Sequence, residues 1–363
     1  FVLIFAVVIL GFFIFLSASL GLQARGNTPL VSLIINQGMF GLVGGSIAGF
    51  FAFITPLDWL KKHAVTLFIV SIMITLAVFI PGLGFTSGGA TRWLDLGPLT
   101  FQPAEALKIG AALITAAWFS FVGSKITDLK YSLGAVIAII IVSAIPLLLQ
   151  PDTGTPVVIA AMVGTMYVAA GAKWQHILSL VLCGVLALGL IIGSSEYRRE
   201  RIMTFLNPSA DELNTGYQTQ QSLIAVGSGQ IFGRGPGQSI QKFNYLPEPI
   251  SDSIFAVYAE EYGFVGSLAL ILLYSGIGFA GFRIAINIKA KFERLLVVGL
   301  VSMILVQSIL NIGAMVGVFP LSGMPLIFVS HGGTALLFSL VSVGLILQAS
   351  TKMPKRKRSL SRL

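Results

Sequence analysis

Apolar residues fall along this chain in long unbroken runs separated by short polar punctuation, not in the strict alternation of half-buried strands. Ten runs stand out: 1–22, 31–55, 64–80, 104–122, 132–149, 154–171, 175–193, 255–281, 295–316 and 333–350. A helix crosses a bilayer with about 20 apolar residues, so the pattern predicts ten transmembrane helices. Residues 1–22 are too long for a signal peptide and lack its cleavage pattern, so they read as a span. Phe1 already lies inside an apolar run, and a natural N-terminal segment is expected before it. The predicted class is an all-α integral membrane protein. Residues 1–350 form one polytopic domain, and 351–363 form a basic tail.

The pattern breaks for 61 residues, 194–254, between predicted helices seven and eight. This stretch carries 11 of the 37 formally charged side chains. It runs from Glu196-Tyr197-Arg198-Arg199-Glu200-Arg201 through Gly227-Ser228-Gly229 and Gly233-Arg234-Gly235-Pro236-Gly237 to Leu246-Pro247-Glu248 and Asp252. A connection this long is usually functional or disordered. Tyr197, Phe205, Tyr217, Leu223, Ile231, Phe232, Phe243 and Tyr245 supply too much apolar material for disorder. The stretch reads as a folded polar site built over a membrane body.

Composition agrees. The chain is 55% hydrophobic and 10% charged, against about 25% charged in soluble domains. A net charge of +9 would suggest nucleic acid in a soluble protein, but its distribution points elsewhere. Connectors 56–63, 123–131, 172–174, 282–294 and 351–363 hold 15 of the 23 Lys and Arg residues and three acids. The opposite set is acidic, at −3 against +12. The positive-inside rule makes the first set cytoplasmic. Both termini then lie inside, the long loop faces out, and the tail sits against anionic lipid. The single Cys183 and three scattered histidines exclude a disulfide framework and zinc spacing. No phosphate-loop motif occurs.

Candidate chemistry gathers at the outward ends. Glu105 and Lys108 are three apart on helix four, share a face and can pair. Ionisable groups on a spanning helix usually face an interior cavity. Trp93 also fits an interfacial aromatic belt. Asp152, between Pro151 and Pro156, fits an N-cap for helix six, a role compatible with lining a cavity. If a helix continues from Asp252, Glu260 lies about 80° around it and Glu261 nearly opposite. Glu260 is therefore expected to share the Asp252 cavity, with Glu261 facing another helix or water. His331 is expected to be buried and hydrogen-bonded. Basic residues beside the Gly-rich stretch suit a diphosphate, and a carboxylate suits general-base work on a sugar hydroxyl. These residues imply a polytopic protein handling an anionic lipid-linked substrate on the outer face, with transport equally open.

Several motifs carry the reading further. They are Gly89-Ala90-Thr91-Arg92-Trp93-Leu94, Phe101-Gln102-Pro103-Ala104-Glu105-Ala106-Leu107-Lys108, Gln150-Pro151-Asp152-Thr153-Gly154-Thr155 and Gly216-Tyr217-Gln218-Thr219-Gln220-Gln221-Ser222. Leu246-Pro247-Glu248 through Ala256, and Gly323-Met324-Pro325-Leu326, continue the series. In order and in topology, the whole chain resembles the SEDS family, the FtsW/RodA/SpoVE group of division, shape and sporulation proteins. Residues 217–229 and Gln241-Lys242 resemble FtsW and SpoVE more than RodA.

That resemblance implies a ten-helix peptidoglycan glycosyltransferase polymerising lipid II on the outer face of the bacterial cytoplasmic membrane. A septal role is expected, with elongation or sporulation as the alternative. It implies a class B penicillin-binding protein as partner, other divisome or elongasome membrane proteins, membrane lipid around it, and no nucleic acid. The family's essential loop acid lands on Asp252, the expected base. Its other motifs land on Arg92 and Trp93, Glu105 and Lys108, Asp152 and Thr153. Substrate contacts are expected from these and from Arg198, Arg201, Gln218, Lys242 and Glu248. A divalent cation, Mg or Mn, is implied without a visible ligand set. Ser251-Asp252-Ser253 stands where the family usually has Thr-Asp-Phe, and Ser330-His331-Gly332-Gly333-Thr334 where it has Ser-Tyr-Gly-Gly-Ser. A lipid II flippase is the rival reading, though no convincing inverted repeat is present. A scaffold that only activates the penicillin-binding partner is the third.

Overall fold

The computed structural model describes residues 2–24, 30–87, 90–97, 100–129, 131–207 and 215–354. Most of the expected basic tail, 355–363, lies outside the described residues. Seven described helices are long and apolar enough to span a membrane: α1 (Val2–Ala24), α2 (Leu33–Ile54), α4 (Pro103–Thr127), α7 (Trp174–Gly193), α10 (Ile254–Asn287), α11 (Lys291–Met315) and α12 (Gly333–Ser350). Three shorter apolar helices, α3 (Ala64–Phe79), α5 (Leu133–Leu149) and α6 (Gly154–Ala169), fall where the remaining runs were predicted. The protein is thus a multi-pass membrane protein.

Three helices are the most buried: α11, with 72% of its apolar stretch buried, and α4 and α12, with 61% each. Helix α11 packs against α10, α6 and α4. Without a hydrophobic drive between helices in lipid, close backbone approach has to supply the packing. The contact of α2 with α12 uses glycines for this: a Cβ on Gly344 would stand 2.1 Å from the Gly49 carbonyl oxygen. Helix α4 starts with Pro103 in its first turn and Glu105 near its positive end. Helix α2 contains a π-helical stretch, Asn36–Gly44, a distortion often found at functional sites.

About half of the described part of the long polar stretch is helix. It contains α8 (Glu196–Leu206) and α9 (Thr215–Ser228), then a single turn, Gln241–Asn244. The buried Leu246 and Ile250 anchor the segment that leads into α10. The helical class holds with one addition: residues 84–101 form a three-stranded antiparallel sheet, β1 (Gly84–Ser87), β2 (Ala90–Asp95) and β3 (Thr100–Phe101). Alternating Thr, Arg, Trp and Leu on β2 suit a pleated surface.

Helix α10 breaks at Gly263, where φ is +65° and ψ −162°, a conformation only glycine adopts readily. The Gly-rich segment staples the break. Arg234 and Gly235 donate their backbone N–H groups to the carbonyls of Glu260 and Glu261, and Phe264 and Val265 donate back to Gln230 and Ile231. A Cβ on Gly263 would lie 2.3 Å from the Gly233 nitrogen. The Gly-rich backbone beside which basic residues were expected to suit a diphosphate is therefore engaged within the fold. Its N–H groups at 233–235 are spent on main-chain carbonyls, and its glycines are needed for close approach.

Candidate active site

The connections at the loop-bearing end of the bundle converge through side-chain to main-chain hydrogen bonds, in two adjoining groups. The first is a polar cavity of about 10 Å³ lined by Arg92, Glu105, Lys108, Asp152, Gln307 and Met324, among others. Lys108 and Glu105, both buried, pair at 2.9 Å as their spacing predicts. The Lys108 ammonium also donates to Gln307 Oε1 at 2.6 Å. Arg92, on β2, donates to the carbonyls of Gln150 (3.1 Å) and Pro151, pinning the sheet to the turn before α6. Asp152 caps α6 as expected: Oδ1 accepts from the N–H groups of Gly154 and Thr155, and Oδ2 from the Thr155 hydroxyl at 2.6 Å. It is buried and lines the cavity as well. Thr153, half-buried, takes the N-terminal position of that helix. Trp93 is half-buried opposite Phe85 in the sheet.

The second group surrounds Asp252, immediately before α10. Asp252 Oδ2 accepts from the Gln218 amide of α9 at 3.2 Å, and the same amide donates to Ser253 at 3.0 Å. Asp252 Oδ1 is buried and has no hydrogen-bond donor among the described residues. Burial raises the Asp252 carboxyl, the nearby Glu248 charge raises it further, and the Gln218 bond and Arg201 oppose them, leaving it pushed up to about 6. Unpaired burial disfavours the charged form, and such a displaced carboxyl is a functional-site signal when geometry agrees. Glu248 sits in a tight turn whose carbonyl accepts from the N–H groups of Ser251 and Ser253. Its carboxylate accepts from the Ser251 hydroxyl at 3.1 Å.

Arg198 and Arg201 reach main-chain carbonyls. Arg198 bonds Leu148 at 3.0 Å and Ile191, tying α8 to the ends of α5 and α7. Arg201 bonds Leu321 at 3.2 Å. Two expectations are corrected. Lys242, expected to touch substrate, is fully buried and pairs with Glu261 at 2.6 Å and with Ser17 of α1. Glu260, expected beside Asp252, instead accepts from Ser239, Ile240 and Gln241 and pairs with Arg234 at 3.3 Å. Both acids lie just before the Gly263 break, where they tie the loop to the helix. Glu261 does face another helix, as expected: its carboxylate accepts from Ser17 at 2.7 Å.

Sequence reasoning missed the residues that join the two groups. Gln307 and Asn311 lie one turn apart on α11, both buried. The signal was present, since two amides at i and i+4 within an apolar run share a face. Gln37, on the π-helical stretch, donates to the Ser330 carbonyl at 3.1 Å and accepts from the Gly332 N–H. Ser330 in turn bonds the Ser251 carbonyl, and His331 donates its N–H to the Ile250 carbonyl at 2.7 Å. The His331 ring stacks on Phe15 at 5.6 Å. It is tied by its main chain, while its buried Nε2 has no partner, so the expected side-chain bond is absent. Among the described residues, no three His, Cys, Asp or Glu side chains gather as a metal site.

Comparison with known proteins places this geometry. A family model described as "Cell cycle protein", FtsW/RodA/SpoVE, matches residues 1–355. The chain is 36% identical over 337 residues to the probable peptidoglycan glycosyltransferase FtsW of Halothiobacillus neapolitanus, covering 92% of this chain and 80% of that one. It is 36% identical over 306 residues to stage V sporulation protein E of Bacillus subtilis, covering 84% of each. Among solved structures, a chain reported under "Structural coordination of polymerization and crosslinking by a peptidoglycan synthase complex" superposes with a TM-score of 0.80 at 27% identity. That match covers 98% of this chain and 97% of the other. The rod shape determining protein RodA of Thermus thermophilus superposes with a TM-score of 0.70 at 25% identity, over 98% and 96%.

Proposed function

Since this chain belongs to the FtsW/RodA/SpoVE family, we propose that its polar site polymerises lipid II into β-1,4 glycan strands, with Asp252 as the base. The enzyme is a peptidoglycan glycosyltransferase, the activity named for its relatives. The observation that carries the site assignment is the Asp252 carboxylate. One oxygen is held by Gln218 and the other is buried without a donor, leaving it able to take a proton.

In the proposed step, the GlcNAc 4-hydroxyl of the acceptor attacks the anomeric carbon of the donor MurNAc. Its proton passes to Asp252 Oδ1 as the new C–O bond forms. The bond to the α-linked undecaprenyl diphosphate breaks on the opposite face, and the diphosphate leaves with the electron pair. The product is β-linked by inversion. A carboxyl near 6 is well matched to this task at neutral pH, because a base works best with a pKa close to the operating pH. A diphosphate needs no protonation to leave if cations hold it. Arg201, beside Asp252, and Arg92 and Lys108 at the adjoining cavity are the groups proposed for this, with Arg198 and Glu248 as further proposed substrate contacts. Mg²⁺ usually binds through one or two carboxylates plus substrate phosphates. Any Mg²⁺ or Mn²⁺ would therefore enter on the diphosphate and would supply positive charge to the leaving group.

We read residues 1–350 as one domain of ten spans. The charge bias of the connectors supports cytoplasmic termini and an outward-facing site, in the bacterial cytoplasmic membrane. A class B penicillin-binding protein is the proposed partner, and septal wall synthesis the proposed setting. The activity is tested with purified protein, that partner, fluorescent lipid II and a divalent ion, read as glycan ladders on a gel. A ladder is expected. Its absence with the partner present, together with lipid II movement across vesicles, would replace polymerisation by transport.

A further inference from the structure

Asp252 stands at the end of the long loop, in the last turn before α10, where a carboxylate would ordinarily wander. Its own side chain has one donor, Gln218. Its main chain is held more firmly, and from an unexpected direction. The Asn311 amide of α11 donates to the Asp252 carbonyl at 2.8 Å and to the Met324 carbonyl at 2.8 Å. Both hydrogens of that amide are therefore used, and its orientation is fixed by two acceptors. One turn earlier on the same face, Gln307 donates to the next carbonyl along, that of Pro325, at 3.0 Å. Its oxygen accepts from Lys108 at 2.6 Å.

Lys108 can only donate. It therefore sets the Gln307 amide with the oxygen toward itself and the NH₂ toward Pro325. Glu105, 2.9 Å from Lys108, completes the chain. Hydrogen bonds thus run from Glu105 through Lys108 and Gln307 to the Pro325 carbonyl, the main chain links Pro325 to Met324, and Asn311 joins the Met324 carbonyl to that of Asp252. All four side chains are buried, where a bond left unmade costs the full desolvation of its partner.

We infer that Gln307 and Asn311 are positioning residues, which fix the main chain of Asp252 and tie its place to the Glu105–Lys108 pair. The inference rests on the reading of Asp252 as base. On this account, the Glu105–Lys108 pair acts on the reaction partly at a distance, by setting the amide that holds the turn beside the base. Neither amide need touch substrate.

The test uses the full chain with its penicillin-binding partner and steady-state polymerisation at varied lipid II. Asn311→Asp places a carboxylate against two carbonyls and removes both donors. Gln307→Glu keeps the acceptor for Lys108 and the size of the side chain, but loses the donor to Pro325. A misplacement of about 1 Å costs roughly 100-fold in rate. The expected result is a fall in kcat of that order for Asn311→Asp, with KM for lipid II within about threefold of wild type, and a smaller fall in kcat for Gln307→Glu. The acid limb of kcat should also move, because Glu248, Arg201 and Gln218, the groups facing Asp252, no longer stand at the same distances. A purely structural role would lower melting temperature without moving that limb.

Wild-type kcat and pH limb in folded Asn311→Asp and Gln307→Glu, with Asp252→Asn inactive alongside, would overturn the inference and leave the base assignment standing. A raised KM with kcat retained in Asn311→Asp would also overturn it, by making that amide a substrate contact. If Asn311→Asp does not fold, Asn311→Ser and Gln307→Glu carry the same judgement. Polymerisation surviving in Asp252→Asn would instead remove the base reading itself.

Discussion

Gln218 donates to one oxygen of Asp252, at 3.2 Å, and leaves the other buried without a donor. The two residues lie 34 positions apart and come from different elements, α9 and the turn before α10. This half-satisfied carboxylate, one oxygen of which is buried, separates the proposed base from the other buried acids near it. Asp152 has three donors, Glu260 has hydrogen bonds and an arginine, and Glu261 has a lysine.

A base works ionised, so activity should fall as pH drops through about 6, where Asp252 takes up its proton. The Gln218 bond lowers the Asp252 pKa by favouring the charged form. Gln218→Leu should therefore move the acid limb to higher pH, with a modest loss of rate at neutral pH. The measurement is kcat from about pH 5 to 8 for both proteins, spanning the expected limb. An unmoved limb would detach Gln218 from the base.

The same shift has a stability consequence. The folded-state pKa of Asp252 is raised from 3.8 to about 6, so ionised Asp252 weakens the fold. Its contribution is most favourable below about pH 4 and is lost as pH rises through 6. The roughly hundredfold change in acidity corresponds to about 3 kcal/mol. Asp252→Asn should thus melt higher than wild type at about pH 7.5, and the difference should shrink toward about pH 4. Thermal unfolding in detergent at both pH values checks this. A mutant less stable at the higher pH would contradict it.

Lys242 should behave as a structural residue. Its ammonium and the Glu261 carboxylate are both buried and 2.6 Å apart, and removing one partner of such a pair commonly costs about 3–5 kcal/mol. Lys242→Met should lower the melting temperature strongly while the surviving folded protein keeps its KM for lipid II. The double variant Lys242→Met with Glu261→Gln should recover part of the loss. A raised KM with unchanged melting would return Lys242 to the substrate.

Much of this was legible in the sequence, for local reasons. Apolar runs set the helices, and a spacing of three placed Glu105 against Lys108. An Asp before Thr-Gly-Thr announced the α6 cap. The hidden part depends on contacts across the chain. Lys242 looked like a loop cation because its partners, Glu261 and Ser17, lie 19 and 225 residues away. Nothing local reveals that α10 breaks at Gly263 and needs the close approach of Gly229 and Gly233. The helical angle placed Glu260 near Asp252 by assuming that helix geometry begins at 252. The helix starts at Ile254, and Ser239, Gln241 and Arg234 claim the carboxylate.

The central claim is that Asp252 is the base, and one comparison tests it most directly. Initial polymerisation rates at saturating lipid II would be measured for wild type and Asp252→Asn with the partner present, alongside lipid II binding by the same preparations. General-base catalysis contributes roughly 10²–10⁴-fold. The account predicts a loss of that size in rate, with binding within a few-fold of wild type. An Asp252→Asn enzyme that still polymerises at more than about a tenth of the wild-type rate, well above that range, would contradict it.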